Sequence, residues 1–120
     1  MTDIELEELE KLDCVTDYNG ASKLPENATK ALLLQIPSWE LDISSGAHKL
    51  VRRYALKDFA HALRLANHIG DLAQQQDHHP TLEVAWGKLA VSWWTHSVLG
   101  LHLNDFIMAA KCDAVAAQYA

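Results

Sequence analysis

The sequence predicts an α+β fold in which a four-stranded antiparallel sheet carries its helices on one face, in the order α-β-β-α-β-β-α. Two pairs of short segments alternate apolar and polar residues, which is typical of half-buried strands. A long segment with apolar residues at helical spacing separates the two pairs, and an alanine-rich helical segment follows the second pair. Two hairpins separated by a helix favour an antiparallel sheet that is covered on one side.

The first half of the chain predicts a short helix and the first hairpin. Residues 26–36 have enough apolar residues for a helix, which Pro37 ends. Residues 39–43 alternate large apolar and acidic side chains, which predicts a half-buried strand. Ser44-Ser45-Gly46 predicts a turn, and residues 49–56 predict the second strand of the hairpin.

The second half of the chain predicts two helices on either side of another hairpin. Residues 58–75 place apolar side chains at helical spacing, so one stripe of this helix should face the sheet. Residues 82–86 and 89–95 predict two strands that join at Gly87-Lys88, and residues 103–119 predict the final helix. The open face of the sheet and its edge strands favour self-association, so we expect a homo-oligomer.

Length and composition predict one domain. The chain has 120 residues, of which 49% are hydrophobic. We interpret residues 24–120 as a single domain and residues 1–23 as an N-terminal extension, in which apolar residues at 6, 9 and 12 are compatible with a short helix or a mobile segment. No function follows for the extension from its sequence.

Charge and cysteine content exclude several classes of function. The net charge of −6 argues against a general binder of nucleic acid or of anionic membranes. No apolar run is long enough for a transmembrane helix, and the acidic N-terminus does not resemble a signal peptide. Cys14 and Cys112 form no metal or redox motif, so a cytoplasmic protein with free thiols is the simplest interpretation.

Chemically active side chains concentrate between residues 77 and 105. His78 and His79 precede Pro80, which disfavours helix at the residue before it, so this pair should lie where a helix gives way to a strand. His96 and Asp105 follow within the same span. Histidine changes its charge near neutral pH, so three imidazoles this close together indicate proton transfer.

Each of these residues also has a simpler interpretation. The two adjacent histidines could be polar loop residues, His96 could cap a strand, and Asp105 could suit the positive end of the helix dipole. Trp86 and Trp39 could be core residues. A zinc site is a further alternative, which we rank below acid–base chemistry because the spacing lacks the pattern that puts two ligands on one helix face.

The ordered set resembles the signature of the pterin-4a-carbinolamine dehydratase family. It consists of Asp77-His78-His79-Pro80, Trp86, Thr95-His96 and Asp105, at the spacings of that family, with Gly100-Leu101 after the Thr-His element. Further upstream, Pro37-Ser38-Trp39-Glu40-Leu41 is similar to the early Gly-Trp segment of the family, and Lys57-Asp58-Phe59 is similar to the start of its central helix. The resemblance covers about residues 28–119.

Three positions depart from the family pattern. Gln74 stands where a charged residue is usual, and we expect it to affect the polarity or orientation of His78. Ser97 stands where an acidic residue is common. His102 stands where Ser or Thr usually caps the final helix.

The resemblance implies dehydration of a 4a-hydroxytetrahydropterin to a quinonoid dihydropterin and water. It implies that His78, His79 and His96 form the acid–base and pterin-binding set, that Asp105 orients an imidazole, and that Trp86 and Trp39 are pocket walls. His79 and His96 should share the mouth of the pocket. No metal or electron sink is needed, so we expect no cofactor.

The resemblance also implies assembly and leaves two other functional classes open. Relatives form dimers or tetramers, so the partners we expect are a pterin and further copies of this chain. Some relatives act as dimerisation cofactors for a homeodomain transcription factor, although nothing in this sequence resembles a partner motif. The other class is a maintenance role in pterin or molybdopterin metabolism without coupling to an aromatic amino acid hydroxylase.

Overall fold

The computed structural model describes residues 6–119, and it confirms the predicted α+β class with a four-stranded antiparallel sheet. Residues 1–5 of the expected extension and Ala120 lie outside the described residues. The helices and strands are α1 (Leu6–Lys11), α2 (Glu26–Leu33), β1 (Glu40–Asp42), β2 (Lys49–Ala55), α3 (Phe59–Gln76), β3 (Thr81–Ala85), β4 (Lys88–Trp93) and α4 (Leu103–Ala116), with short 3₁₀ turns at His96–Val98 and Ala117–Tyr119.

The strands lie in the order β1-β2-β4-β3, and every neighbouring pair is antiparallel. The two predicted hairpins are therefore joined through their second strands, β2 and β4. Opposite residues in a ladder share a face, and Leu50 pairs with Trp93 while Leu89 pairs with Val84. This register collects the large apolar side chains of β2, β3 and β4 on one face of the sheet.

Helices α3 and α4 cover that apolar face. Leu50, Leu89 and Trp93 are fully buried, and so is most of α4 between residues 104 and 110. On the other face the side chains of Arg53 and Glu83 are exposed. The alternation that predicted half-buried strands thus matches one covered and one open face.

Two predicted boundaries differ from the structure for local reasons. The first predicted helix ends at Leu33 because the last residues before Pro37 form a tighter turn, in which the Ile36 N–H donates to the Leu33 carbonyl. The second hairpin turns one residue earlier than predicted, because Gly87 has a φ of +72° and takes the left-handed position, which leaves Lys88 in β4.

The described part of the N-terminal extension packs onto the rest of the fold. Leu9 in α1 is fully buried within the core cluster. The amide of Leu24 donates to the carbonyl of Leu101, which fixes the chain just before α2. Between residues 6 and 119, the structure has no helix that is both long and apolar enough to cross a membrane.

Candidate active site

The end of α3 positions His78 next to the sheet. Asp77 adopts a left-handed conformation with φ 50°, and the His78 N–H donates to the carbonyl of Ala73. This is the hydrogen-bond pattern of a helix that ends in a left-handed residue. The chain reverses sharply there and enters β3 shortly afterwards, as the proline at position 80 predicts.

His78 forms a short hydrogen bond with Asp105 inside the protein. Its Nε2 lies 2.6 Å from the Oδ1 of Asp105, and only 8% of the residue is exposed. The ring stacks on the indole of Trp93 at 5.4 Å between centroids and 22° between planes. An ionised carboxylate only accepts hydrogen bonds, so the Nε2 of His78 carries a proton and donates it to Asp105.

Asp105 is fully buried and accepts two more hydrogen bonds. Its Oδ2 lies 2.8 Å from the hydroxyl of Thr95 and 2.9 Å from the backbone nitrogen of His102. Three donors around one carboxylate offset the cost of burying its charge. They also fix its orientation, and with it the plane of the His78 ring.

His102 caps α4 in place of the usual hydroxyl residue. Its Nδ1 accepts the backbone N–H of Asn104 at 3.0 Å, and Asp105 completes the capping box by accepting the His102 N–H. Burial lowers the pKa of His102, the nearby His78 lowers it further, and the Asp105 carboxylate opposes both effects. A lowered pKa favours the neutral ring, which is the form that can accept at Nδ1.

Gln74 contacts His79, whereas the sequence led us to expect an effect on His78. The Oε1 of Gln74 lies 2.6 Å from the Nε2 of His79, one turn back along α3. Asp77 reverses the chain and so brings His79 beside the last turn of α3, while the expected effect of Gln74 on His78 stays a prediction. His79 is exposed, and the amide oxygen fixes one of its two nitrogens as a donor.

His96 lies at the same end of the sheet as His79. Thr81 is paired with Ser92, and at this end of the pair His79 precedes β3 while His96 follows β4. His96 begins a 3₁₀ turn, its side chain is exposed, and its ring centroid is 4.0 Å from that of Trp94. The fold therefore brings all three predicted histidines to one end of the β3–β4 ladder.

The two predicted tryptophans do not join this cluster within a single chain. Trp86 lies at the hairpin tip and is 73% exposed. The five residues of β3 separate it from the histidines, a length of roughly 17 Å.

Trp39 is buried, and its indole N–H donates to Asp113 at 3.1 Å. Asp113 also binds Arg52 and the Tyr54 hydroxyl, beside an open cavity of about 520 Å³. Asp113 lies eight positions after Asp105 on α4, a distance of roughly 12 Å along the helix, so Trp39 is remote from the histidines.

Sequence reasoning did not identify two side chains that complete the site. Thr95 belongs to the Thr-His element, but its hydroxyl contact with Asp105 links residues on different elements. Trp93 is a buried core residue that also stacks on the His78 ring. Among the side chains that the structure describes, those of residues 9–119, no group of three or more His, Cys, Asp or Glu is arranged to hold a metal ion.

Solved structures show a similar fold. A crystal structure of a transcriptional coactivator/pterin dehydratase from Brucella melitensis superimposes with a TM-score of 0.73 and 28% identity, covering 79% of this chain and 99% of the other. A pterin dehydratase-like protein, identified as a RuBisCO assembly factor in the α-carboxysome, has a TM-score of 0.56 at 18% identity over 66% of this chain and 89% of its own. At that identity the second likeness shows the fold alone.

Sequence comparisons identify the family of the chain. Proteins of Chlorobium luteolum and Chlorobaculum tepidum, each provisionally named pterin-4-alpha-carbinolamine dehydratase, are both 43% identical over 106 residues, which is 88% of this chain and 93% and 96% of theirs. Residues 22–115 match the family described as pterin 4 alpha carbinolamine dehydratase. The chain therefore belongs to the pterin 4 alpha carbinolamine dehydratase family.

Proposed function

We propose that this protein is an active dehydratase that converts a 4a-hydroxytetrahydropterin to the quinonoid dihydropterin and water. Membership of the family supports pterin carbinolamine dehydration in general. The observation that carries the proposal for this chain is the buried His78–Asp105 pair, which lies beside two exposed histidines at one end of the sheet. The proposed biological role is the recycling of tetrahydropterin after an aromatic amino acid hydroxylase has used it.

The reaction requires one proton to be donated and one to be removed. The bond between C4a and the hydroxyl oxygen breaks as an acid protonates that oxygen, and water leaves. A base removes the proton from N5, and the electron pair of the N–H bond forms the C4a=N5 double bond. Imidazoles can carry out both steps near neutral pH, and one positioned acid or base contributes about 10²–10⁴-fold to the rate.

The three histidines suit different parts of this task. His79 and His96 are exposed, so they are the groups we propose to meet the substrate first. The Nε2 proton of His78 is bound to Asp105, so Nδ1 is the ring nitrogen that is left to bind the substrate or exchange a proton with it. We propose that all three residues act together and leave the acid and the base unassigned between them.

We propose that the protein works in the cytoplasm as a homodimer or homotetramer. Both cysteines are free thiols, which supports a reducing compartment. Phe59 and Leu63 are exposed on the outer side of α3, and β3 has an unpaired edge within the described chain. Trp86 lies too far from the histidines of its own chain to line their pocket, so it can act as a pocket wall only in the site of another copy.

Exchange of His79 for alanine tests this proposal. Turnover of freshly generated 4a-hydroxytetrahydropterin should fall by about tenfold or more in His79→Ala, because one proton-transfer group is lost. His68→Ala is the matched control, since His68 lies within α3, roughly 12 Å along the helix from its end, and contacts Tyr119. Circular dichroism should show both variants folded.

Equal turnover in His79→Ala and the wild-type protein would contradict the assigned role. A wild-type protein that forms oligomers but leaves the spontaneous rate unchanged would instead favour the binding or maintenance function. The similar protein from Brucella melitensis is described both as a transcriptional coactivator and as a pterin dehydratase. For this chain, the measured rate decides between these functions.

A further inference from the structure

A short part of the N-terminal extension lies against the His78–Asp105 pair. The family match begins at residue 22, so residues 13–18, which we call the 13–18 segment, precede it. This segment makes side-chain hydrogen bonds with the end of α3 and with the start of α4. Those two helix ends supply His78 and Asp105.

Gln76, the last residue of α3, holds one end of the segment. Its Oε1 accepts the backbone N–H of Cys14 at 2.7 Å, and its Nε2 donates to the carboxylate of Asp13 at 3.0 Å. Gln76 stands two residues before His78. Movement of the segment would therefore act directly on the turn that positions the His78 ring.

Asn104 holds the other end of the segment and is 1% exposed. Its Oδ1 accepts the Val15 N–H at 3.0 Å, and its Nδ2 donates to the Val15 carbonyl at 2.8 Å and to the Tyr18 hydroxyl at 2.7 Å. All the polar atoms of this buried amide are thereby paired. The next residue in the chain is Asp105.

The segment also contacts Asn104 and His102, which stand close to Asp105 in the chain. The thiol of Cys14 lies 3.9 Å from the Asn104 carbonyl, and the ring of Tyr18 meets His102 edge-on at 5.2 Å. Burial raises the pKa of Cys14 to about 12, and the nearby Asp105 charge adds to this effect although Lys111 opposes it. The Cys14 side chain is thus held neutral next to the carboxylate that binds His78.

We propose that the 13–18 segment braces the His78–Asp105 pair, with Gln76 and Asn104 as positioning residues. The brace fixes the distance between the end of α3 and the start of α4, and so maintains the short bond between His78 and Asp105. This inference rests on the proposed dehydratase function. We assign neither positioning residue a contact with the substrate, because Asn104 is 1% exposed and the side-chain amide of Gln76 is bound to residues 13 and 14.

The test compares Gln76→Ala and Asn104→Ala in the full-length protein. Each variant should lower kcat by about tenfold with KM changed less than about threefold, because small displacements of a catalytic group cost rate. The kcat of the double variant should lie within about twofold of the lower of the two single-variant values, since both residues act through one segment. A loss of kcat in the double variant equal to the product of the two single losses would show that the residues act separately, and it would overturn the proposed brace.

Lys111→Met provides the matched control. The Nζ of Lys111 donates to the carbonyl of Glu10 at 2.7 Å, so it ties the same extension to the same helix, but farther along α4 from Asp105. This variant should unfold at a lower temperature and keep kcat within about twofold of the wild-type value. If Lys111→Met lost as much kcat as Gln76→Ala and Asn104→Ala, the losses would reflect general stability, and the proposal would be overturned.

The proton on Nε2 of His78 gives a readout that does not depend on activity. In ¹⁵N-labelled wild-type protein it should exchange slowly with water, because it is buried and bound to Asp105. Exchange should become about tenfold faster or more in Gln76→Ala, and stay slow in Lys111→Met. A wild-type chain without activity would refute the proposed function, while unchanged exchange in Gln76→Ala would refute the brace.

Discussion

At the scale of single residues, Asp105 is the side chain on which the candidate site depends most. It is fully buried and pairs with His78, Thr95 and the backbone of His102. Each of the three partners is a donor, so the position requires a group that only accepts. The carboxylate therefore both fixes the tautomer of His78 and holds the start of α4 against β4.

Asp105→Asn should reduce turnover by about tenfold or more. The amide has almost the shape of the carboxylate, but its NH₂ group is itself a donor and would face one of the donors that now bind Asp105. The tautomer of His78 would then no longer be fixed. Leaving one buried donor unpaired should also cost about 1–3 kcal/mol of stability. Steady-state turnover and denaturant unfolding measure the two effects.

Asp71→Asn is the control for that substitution, because Asp71 is an exposed aspartate on α3. It should leave turnover and the free energy of unfolding close to the wild-type values. Wild-type turnover in Asp105→Asn would show that the buried pair stabilises the fold and has no part in the reaction.

At the scale of elements, the stability of α4 should depend on the protonation of His102. The neutral ring accepts the Asn104 N–H at Nδ1, and a protonated ring cannot. The pKa of His102 is lowered in the folded protein, mainly by burial. The cap is therefore fully present above the pKa of the unfolded chain, about 6.5, and is lost as the pH falls through the lower folded value.

His102→Ser isolates this effect, because a serine cap does not titrate. The wild-type protein should lose more stability than His102→Ser between about pH 7.5 and pH 5, and His102→Ala should cost about 1 kcal/mol at the higher pH. Urea unfolding of the three proteins at both values measures the difference. Parallel pH curves for wild type and His102→Ser would contradict a titrating cap.

The elements could be predicted from the sequence because their signals are local. The alternation in residues 49–56 and 89–95 predicted two strands, and β2 and β4 occupy most of those ranges. The boundaries were less accurate where a single backbone conformation decides them. The positive φ of Gly87 sets the position of the hairpin turn. The residue types in the turn did not show which residue would adopt that conformation.

At the scale of the whole molecule, the candidate site could be predicted only in part. The spacing of His78, His79, His96 and Asp105 indicated the cluster before any contact was known. The contact of Thr95 with Asp105 could not be predicted, and neither could the packing of the 13–18 segment, because these contacts join separate elements of the fold. Asn104 and Val15, for example, are 89 residues apart in sequence.

The packed extension should protect both cysteines from modification. Burial raises the pKa of Cys14 to about 12 and raises that of the fully buried Cys112 as well, so neither forms much of the reactive thiolate near neutral pH. A disulfide reagent should react with the native protein at least roughly a hundredfold more slowly than with the urea-unfolded chain. Labelling of Cys14 in the native protein at the unfolded rate would contradict the packing of residues 13–18.

The central claim is that this chain accelerates the dehydration of a 4a-hydroxytetrahydropterin. The most direct measurement follows the loss of that compound by absorbance in a rapid mixing experiment, with increasing concentrations of the wild-type protein and the substrate generated fresh by a phenylalanine hydroxylase. We predict a rate that rises in proportion to the protein concentration, well above spontaneous dehydration. A rate equal to the spontaneous one at every concentration would contradict the claim.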